Sequence, residues 1–140
     1  MVWGAVGWHG KSELIRLPRG VKVNAEEYKK LLESQLPLLR AEYKNGDMIL
    51  LQDGAPGHRA KSVIAWLSEQ EQRIVKDHPP YSPDLNIIED IWGMIKKKMV
   101  NLYIETEDEL FELVRQEWEN ITLKQIRNLI KSMPNRLKAV

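Results

Sequence analysis

Apolar residues recur at two spacings along these 140 residues, and the change between them separates short strands from longer helices. Met1 to Val6 is a brief β-leaning run and Glu13 to Leu17 alternates. With Gly7, His9 and Gly10 between them, the pattern predicts a hairpin. Asn24 and Glu27 form a capping-box pattern, and Tyr28, Leu31, Leu32 and Gln35 or Leu36 follow at helical spacing. Pro37 is predicted to kink or end that helix, with a further turn from Leu38 to Tyr43 and a stop at Asn45-Gly46. The run Met48-Ile-Leu-Leu-Gln52 has the character of a strand covered on both faces, which needs neighbours on both edges. Ala60, Val63, Ile64 and Leu67 mark an amphipathic helix, and Arg73-Ile-Val75 a second strand. From Ile87 a helix carries Ile88, Ile91, Trp92, Ile95 and Met99 on one stripe. Thr106 with Glu109 and Thr122 with Gln125 then open two more helices. Their stripes are Leu110, Phe111, Val114 and Trp118 in the first, and Leu123, Ile126, Leu129 and Ile130 in the second. Pro134 suits the first turn of a last short helix. Strand, helix, strand and helix in succession predict an α/β fold built on a layered sheet.

Composition narrows the chemistry more than the fold. At 43% apolar residues the chain supports one domain's core, so residues 1–140 are read as a single domain. There is no cysteine and the three histidines are scattered, so any metal is held mainly by oxygen, which favours magnesium or manganese. No apolar run approaches the ~20 residues of a membrane span, and Met1 leads into Val-Trp-Gly without a basic start. A soluble, intracellular protein that is not secreted is expected. The net charge of +1 leaves any nucleic-acid contact to local patches. Seven acids lie between Glu105 and Glu119, whereas the stretch from Asn120 holds five basic residues and no acid. Such segregated charge forms solvated outer faces or, for the basic stretch, a phosphate-facing surface.

The candidate chemistry sits between Met48 and Lys98. Asp53 closes the Met48 strand and begins Asp53-Gly-Ala-Pro-Gly-His58, and in open α/β sheets ligands gather beyond the carboxyl ends of strands. The turn-rich His78-Pro-Pro-Tyr-Ser-Pro-Asp-Leu-Asn86 delivers a helix with Glu89 in its first turn. Taken singly, Asp53 is also an ordinary turn residue, and Glu89 an ordinary helix-start acid behind an Asn86 cap. His58 orients a ligand or phosphate, or makes a helix-start hydrogen bond. Asp84 and Asn86 read as residues that position Glu89, with Asn86 in reach of its ligand shell. Lys96, Lys97 and Lys98 reach phosphates or form a solvated face. Gly93, one turn after Glu89, leaves room for substrate backbone.

The segments LQDGAPGH and HPPYSPDLNIIEDIWGMIKK together resemble the second and third acidic motifs of mariner-type DDE transposases, of the Tc/mariner superfamily. Thirty-five residues separate Asp53 from Glu89, close to the family's spacing. The resemblance runs from the Met-Val-Trp-Gly-Ala hairpin to the closing Met-Pro-x-Arg-Leu pattern at residues 133 to 137. It implies a ribonuclease H-like catalytic domain with extra C-terminal helices. Asp53 and Glu89 become the second and third catalytic, metal-binding acids, with His58, Asn86, Lys96 and Lys97 as ligand-shell or DNA-contact candidates. Two Mg2+ or Mn2+ ions serve the intact family in cutting and joining DNA. The implied partners are transposon-end and target DNA and a second copy in a homodimer, and the implied location is the nucleus in a eukaryote or otherwise the cytoplasm. Two departures matter: Ile87 stands where relatives often carry Pro, and the first Asp has no counterpart from Met1 onward. The chain is therefore expected to be an N-terminally truncated catalytic domain lacking the first central strand, and to bind one metal weakly. The segment upstream of Met1 is expected to supply that strand, its Asp and a basic DNA-binding region. The rival reading is a catalytically dead remnant or a domesticated protein- or DNA-interaction module.

Overall fold

The hairpin forms, with one residue more on its return strand than simple alternation allows. The structure, a computed structural model, describes residues 2–17, 25–43, 48–52, 61–75 and 83–138. In chain order the elements are β1 (Val2–Trp3), β2 (Val6–Gly7), β3 (Gly10–Lys11), β4 (Ile15–Arg16), α1 (Ala25–Arg40), β5 (Ile49–Leu50), α2 (Lys61–Glu69) and β6 (Arg73–Ile74). A 3-10 turn (Pro83–Leu85) then leads into α3 (Ile87–Met99), α4 (Glu107–Asn120) and α5 (Leu123–Lys138). The chain divides into two compact units, one made of Met1–Arg19 with Pro83–Val140 and the other of Gly20–Ser82.

In the first unit β1 pairs antiparallel with β4 and β2 with β3, in the registers Trp3↔Ile15 and Val6↔Lys11. Gly4 and Ala5 on the outgoing strand therefore face Ser12, Glu13 and Leu14 on the return, which is a β-bulge. Ser12 bridges it: its N–H donates to the Ala5 carbonyl at 2.8 Å and its Oγ accepts from the Ala5 N–H at 2.9 Å. The Ser12 carbonyl is left to accept from the Trp118 indole Nε1 at 2.9 Å, and Leu14 enters the core. Trp118 is fully buried among Leu14, Ile91, Ile95, Ile121 and Ile126 and stacks on Trp92 with 5.2 Å between ring centroids. Gly4 admits it, since a Cβ there would lie 2.6 Å from the Trp118 ring.

Lys11 fastens the hairpin to the end of α4. Its Nζ donates to the carbonyls of Trp118, Glu119 and Ile121 at the helix C-terminus, where the Trp118 carbonyl also accepts the Ile121 N–H at 3.2 Å. Burial pushes this ammonium below the usual lysine pKa, and the nearby Glu119 charge opposes that shift. The caps predicted for α4 and α5 are in place, and the one predicted at Asn24 lies outside the described residues. Thr106 Oγ1 accepts from the Glu109 N–H at 3.1 Å, while Thr122 and Gln125 bond each other's backbone N–H at 3.1 and 2.8 Å. Leu110 and Leu123, in the first turns of these helices, are 41% and 37% exposed and do not join the buried stripes.

The expected break before Pro134 does not occur, because α5 runs through it as one helix of 16 residues. Pro134 lies on the exposed side, and Ile126, Leu129 and Ile130 hold the preceding turns against the core. Pro37 is likewise absorbed within α1, and the Ala41 N–H still reaches the Pro37 carbonyl at 3.1 Å.

In the second unit α1 buries Tyr28, Leu31, Leu32, Gln35 and Leu36, the predicted stripe. β5 pairs in parallel with β6, and the Val75 N–H extends that ladder to the Leu50 carbonyl at 3.0 Å. Two expectations are corrected here. Ile49 is 55% exposed, so β5 is not covered on both faces among the described residues, and Ile64 on α2 is 42% exposed. The buried side of α2 is the Val63/Leu67 pair, four residues apart, and Ile64 points about 100° away from Val63. After α2 the Gln72 N–H bonds the Leu67 carbonyl at 2.9 Å and the Glu71 N–H bonds the Ser68 carbonyl at 2.9 Å, a Schellman ending. It places Glu71 at φ 55, where a Cβ is strained. Glu71→Gly is expected to raise the unfolding free energy by about 0.5–1 kcal/mol in chemical denaturation, and a loss of stability would show that the strain argument is wrong.

Candidate active site

Asp53 and His58 lie outside the described residues, but the residue before Asp53 is anchored. The buried Tyr28 on α1 donates its hydroxyl to Gln52 Oε1 at 2.5 Å, tying the end of the β5 segment to that helix.

Glu89 is fully described. The 3-10 turn buries Leu85, and Asn86, 7% exposed, caps α3 by accepting the Ile88 N–H on Oδ1 at 3.3 Å. Glu89 is then the third residue of α3, and its N–H bonds the Asn86 carbonyl at 3.1 Å. Buried Ile91 and Ile95 fix which side of the helix faces inward, so Glu89 is exposed. Among the described residues its carboxylate has no hydrogen-bond or ion-pair partner. Its neighbour Asp90 is engaged: Arg136 Nη1 on α5 lies 2.7 Å from Asp90 Oδ2 and also donates to the Asp84 carbonyl at 3.0 Å. Of the two adjacent acids, Asp90 is engaged and Glu89 is not, among the described residues.

Gly93 lies four residues after Glu89 and Lys96 three after Gly93, so the three share the exposed face of α3. A Cβ built on Gly93 meets nothing within 4 Å, consistent with open space above it. Lys96 and Lys97 are exposed, whereas Lys98 pairs with Glu117 on α4 at 3.0 Å. The predicted basic cluster therefore divides into two lysines facing outward and one joining helices. Likewise the basic C-terminal stretch is not simply a solvated or phosphate-facing surface. Arg127 and Lys131 lie 4.8 and 5.8 Å from the Trp8 ring centroid, and Arg136 is on Asp90. Among the described residues, no three acids or histidines come together as a metal-binding group. No helix among them is long and apolar enough to cross a membrane. Sequence reading missed Arg136; the signal available was its place in the closing Met-Pro-x-Arg-Leu pattern.

Comparison with known proteins bears on this arrangement. The profile of a family described as DDE superfamily endonuclease matches residues 11–111. The chain is 30% identical over 139 residues to the transposable element Tc3 transposase of Caenorhabditis elegans, covering 98% of this chain and 41% of that protein. It is 26% identical over 140 residues to the Tc1 transposase of the same species, covering 100% of this chain and 50% of that one. The chain thus spans about half the length of the curated relatives it matches. Among solved structures, the catalytic domain of Mos1 mariner transposase matches with a TM-score of 0.85 at 20% identity, covering 98% of this chain and 69% of that one. The Mos1 catalytic domain with raltegravir and Mg matches at 0.82 and 21% identity, covering 98% and 70%. The Mos1 paired-end complex with its left transposon end matches at 0.84 and 21%, covering 98% and 40%. These likenesses show the ribonuclease H-like fold that the sequence motifs imply.

Proposed function

Since the chain belongs to the DDE superfamily endonuclease family, we propose that it works in metal-dependent DNA cleavage and strand transfer, as part of a transposase catalytic domain, with Asp53 and Glu89 as metal ligands. The observation that carries this is Glu89. Its carboxylate is held at a capped helix start and turned outward without a partner among the described residues, while Asp90 beside it is neutralised by Arg136. An unpaired carboxylate on a rigid mount is a hard oxygen donor, which fits Mg2+ or Mn2+. When bound, such cations stabilise the attacking and leaving oxygens of a phosphodiester on opposite sides of phosphorus.

The rest of the α3 face suits DNA. Gly93 lets a phosphate backbone approach, and Lys96 lies about 10 Å beyond Glu89 along the axis, where it attracts the next stretch of that backbone. His58 and Lys97 are assigned to the same phosphates, and Asn86 to holding the Glu89 turn. Transposon-end and target DNA, a second copy of the chain and a nuclear site of action in a eukaryote belong to this reading. The Mg and the transposon end in the matched structures are those of Mos1.

The test is nicking of supercoiled DNA with Mg2+ or Mn2+ by the longest product of the gene that contains these residues. Asp53→Ala and Glu89→Ala are expected to lose cleavage and keep DNA binding, because ligands serve chemistry and basic surfaces serve affinity. Undiminished cleavage by both variants rejects the assignment. In the 140 residues themselves, the two carboxylates are expected to hold one Mn2+ weakly, and calorimetry showing two tight sites contradicts this. Gly93→Ala separates the roles of that position: it is expected to stabilise α3 by about 1 kcal/mol yet weaken DNA binding or cleavage. A variant that is both more stable and fully active shows that no substrate passes there.

A further inference from the structure

α5 packs on α3 through Ile126, Leu129 and Ile130, and near its end one charged side chain reaches the start of α3. Arg136 donates from Nη1 to the carbonyl of Asp84, two residues before the cap Asn86, and to the carboxylate of Asp90, one residue after Glu89. The two attachment points flank Glu89 and leave it untouched. The pair is half-buried, with side-chain exposures of 23% for Arg136 and 34% for Asp90, so it is better ordered than a surface ion pair. Helix polarity does not explain it. A cation at a helix N-terminus meets the positive end of the dipole, so Arg136 is tolerated there only because Asp90 neutralises it.

We infer that Arg136 is the positioning residue for Glu89: it clamps the 3-10 turn to the first turn of α3 and occupies Asp90, so that Glu89 is the acid presented to a divalent cation. This rests on the reading of Glu89 as a metal ligand. First turns of helices fray, and a displacement of about 1 Å at a reacting group costs ~100-fold in rate, so a clamp at this turn has work to do. Arg136 touches neither metal nor substrate and acts through the backbone on both sides of Glu89.

The test uses the 140-residue chain, Mn2+ as probe and electron paramagnetic resonance to count free ion, with amide hydrogen exchange read at Ile88 and Glu89. Arg136→Ala is expected to weaken Mn2+ binding about tenfold, the lower end of the range for partners of metal ligands, and to speed exchange at these two amides but not at Ile95. Arg136→Lys, which can keep one of the two contacts, is expected to recover part of the affinity. Val114→Ala, a core change on α4, is expected to lower stability and leave Mn2+ affinity unchanged. If Arg136→Ala proves poorly folded, Arg136→Gln gives the same comparison. Mn2+ affinity within twofold of the parent in the Arg136 variants, while Glu89→Ala abolishes binding, overturns the inference alone. Binding that survives Glu89→Ala removes the reading beneath it.

Discussion

Glu89→Gln is expected to reduce metal-dependent DNA cleavage by at least about 100-fold, because even partners one step removed from a metal cost 10–100-fold when lost. Stability is expected to fall by less than about 1 kcal/mol, the scale of a single acid at a helix N-terminus. The side chain is exposed, and Gln has the same shape and keeps the helix start intact. Removing the charge takes away the donor that holds a cation and leaves the cap made by Asn86 unchanged. Thermal unfolding and a nicking assay on the same preparation check both halves. A large loss of activity with a matching loss of stability would mean that Glu89 supports the fold, and full activity would remove it from the site.

Trp118→Ala is expected to have the opposite profile, costing about 3–5 kcal/mol where a whole domain has 5–15. Trp118 is completely buried, stacks on Trp92, fills the space that Gly4 leaves open and bonds the Ser12 carbonyl in the bulge. Its loss opens a cavity beneath the hairpin and leaves that carbonyl without its indole donor. Trp118→Phe keeps most of the ring and loses the N–H, so a smaller cost is expected. Gly4→Ala tests the same packing from the other side, and forcing a methyl onto the ring is expected to cost about 1–3 kcal/mol. Denaturant midpoints for the three variants check the order. If Trp118→Ala unfolds no more easily than Trp118→Phe, the bulge and ring packing described here do not hold the unit together.

Local patterns carried far because their partners lie within one or two helical turns. The caps at Thr106 and Thr122, the Asn86 start of α3, the buried stripe of α1 and the placement of Glu89 in a first turn all follow from spacings of two to four residues. The acidic motifs that resemble the mariner-type transposases, and with them the fold, were readable for the same reason: they are fixed residues at fixed intervals. Tertiary structure decided whatever joins distant segments. Lys11 meets α4 across 107 to 110 positions, the Trp118 indole meets the bulge across 106, and Arg136 reaches Asp90 across 46. It also overruled two local rules, since packing of the turns before Pro134 and the Arg136 contacts after it outweigh one lost helix bond, and an apolar residue such as Ile64 stays exposed where no neighbour covers it. The sequence by itself determined which acid begins α3. Only the packing of α5 onto that turn decided that Asp90 is bound while Glu89 has no partner among the described residues, because a charge is neutralised by whatever the fold brings within a few ångströms, and no spacing along the chain specifies that.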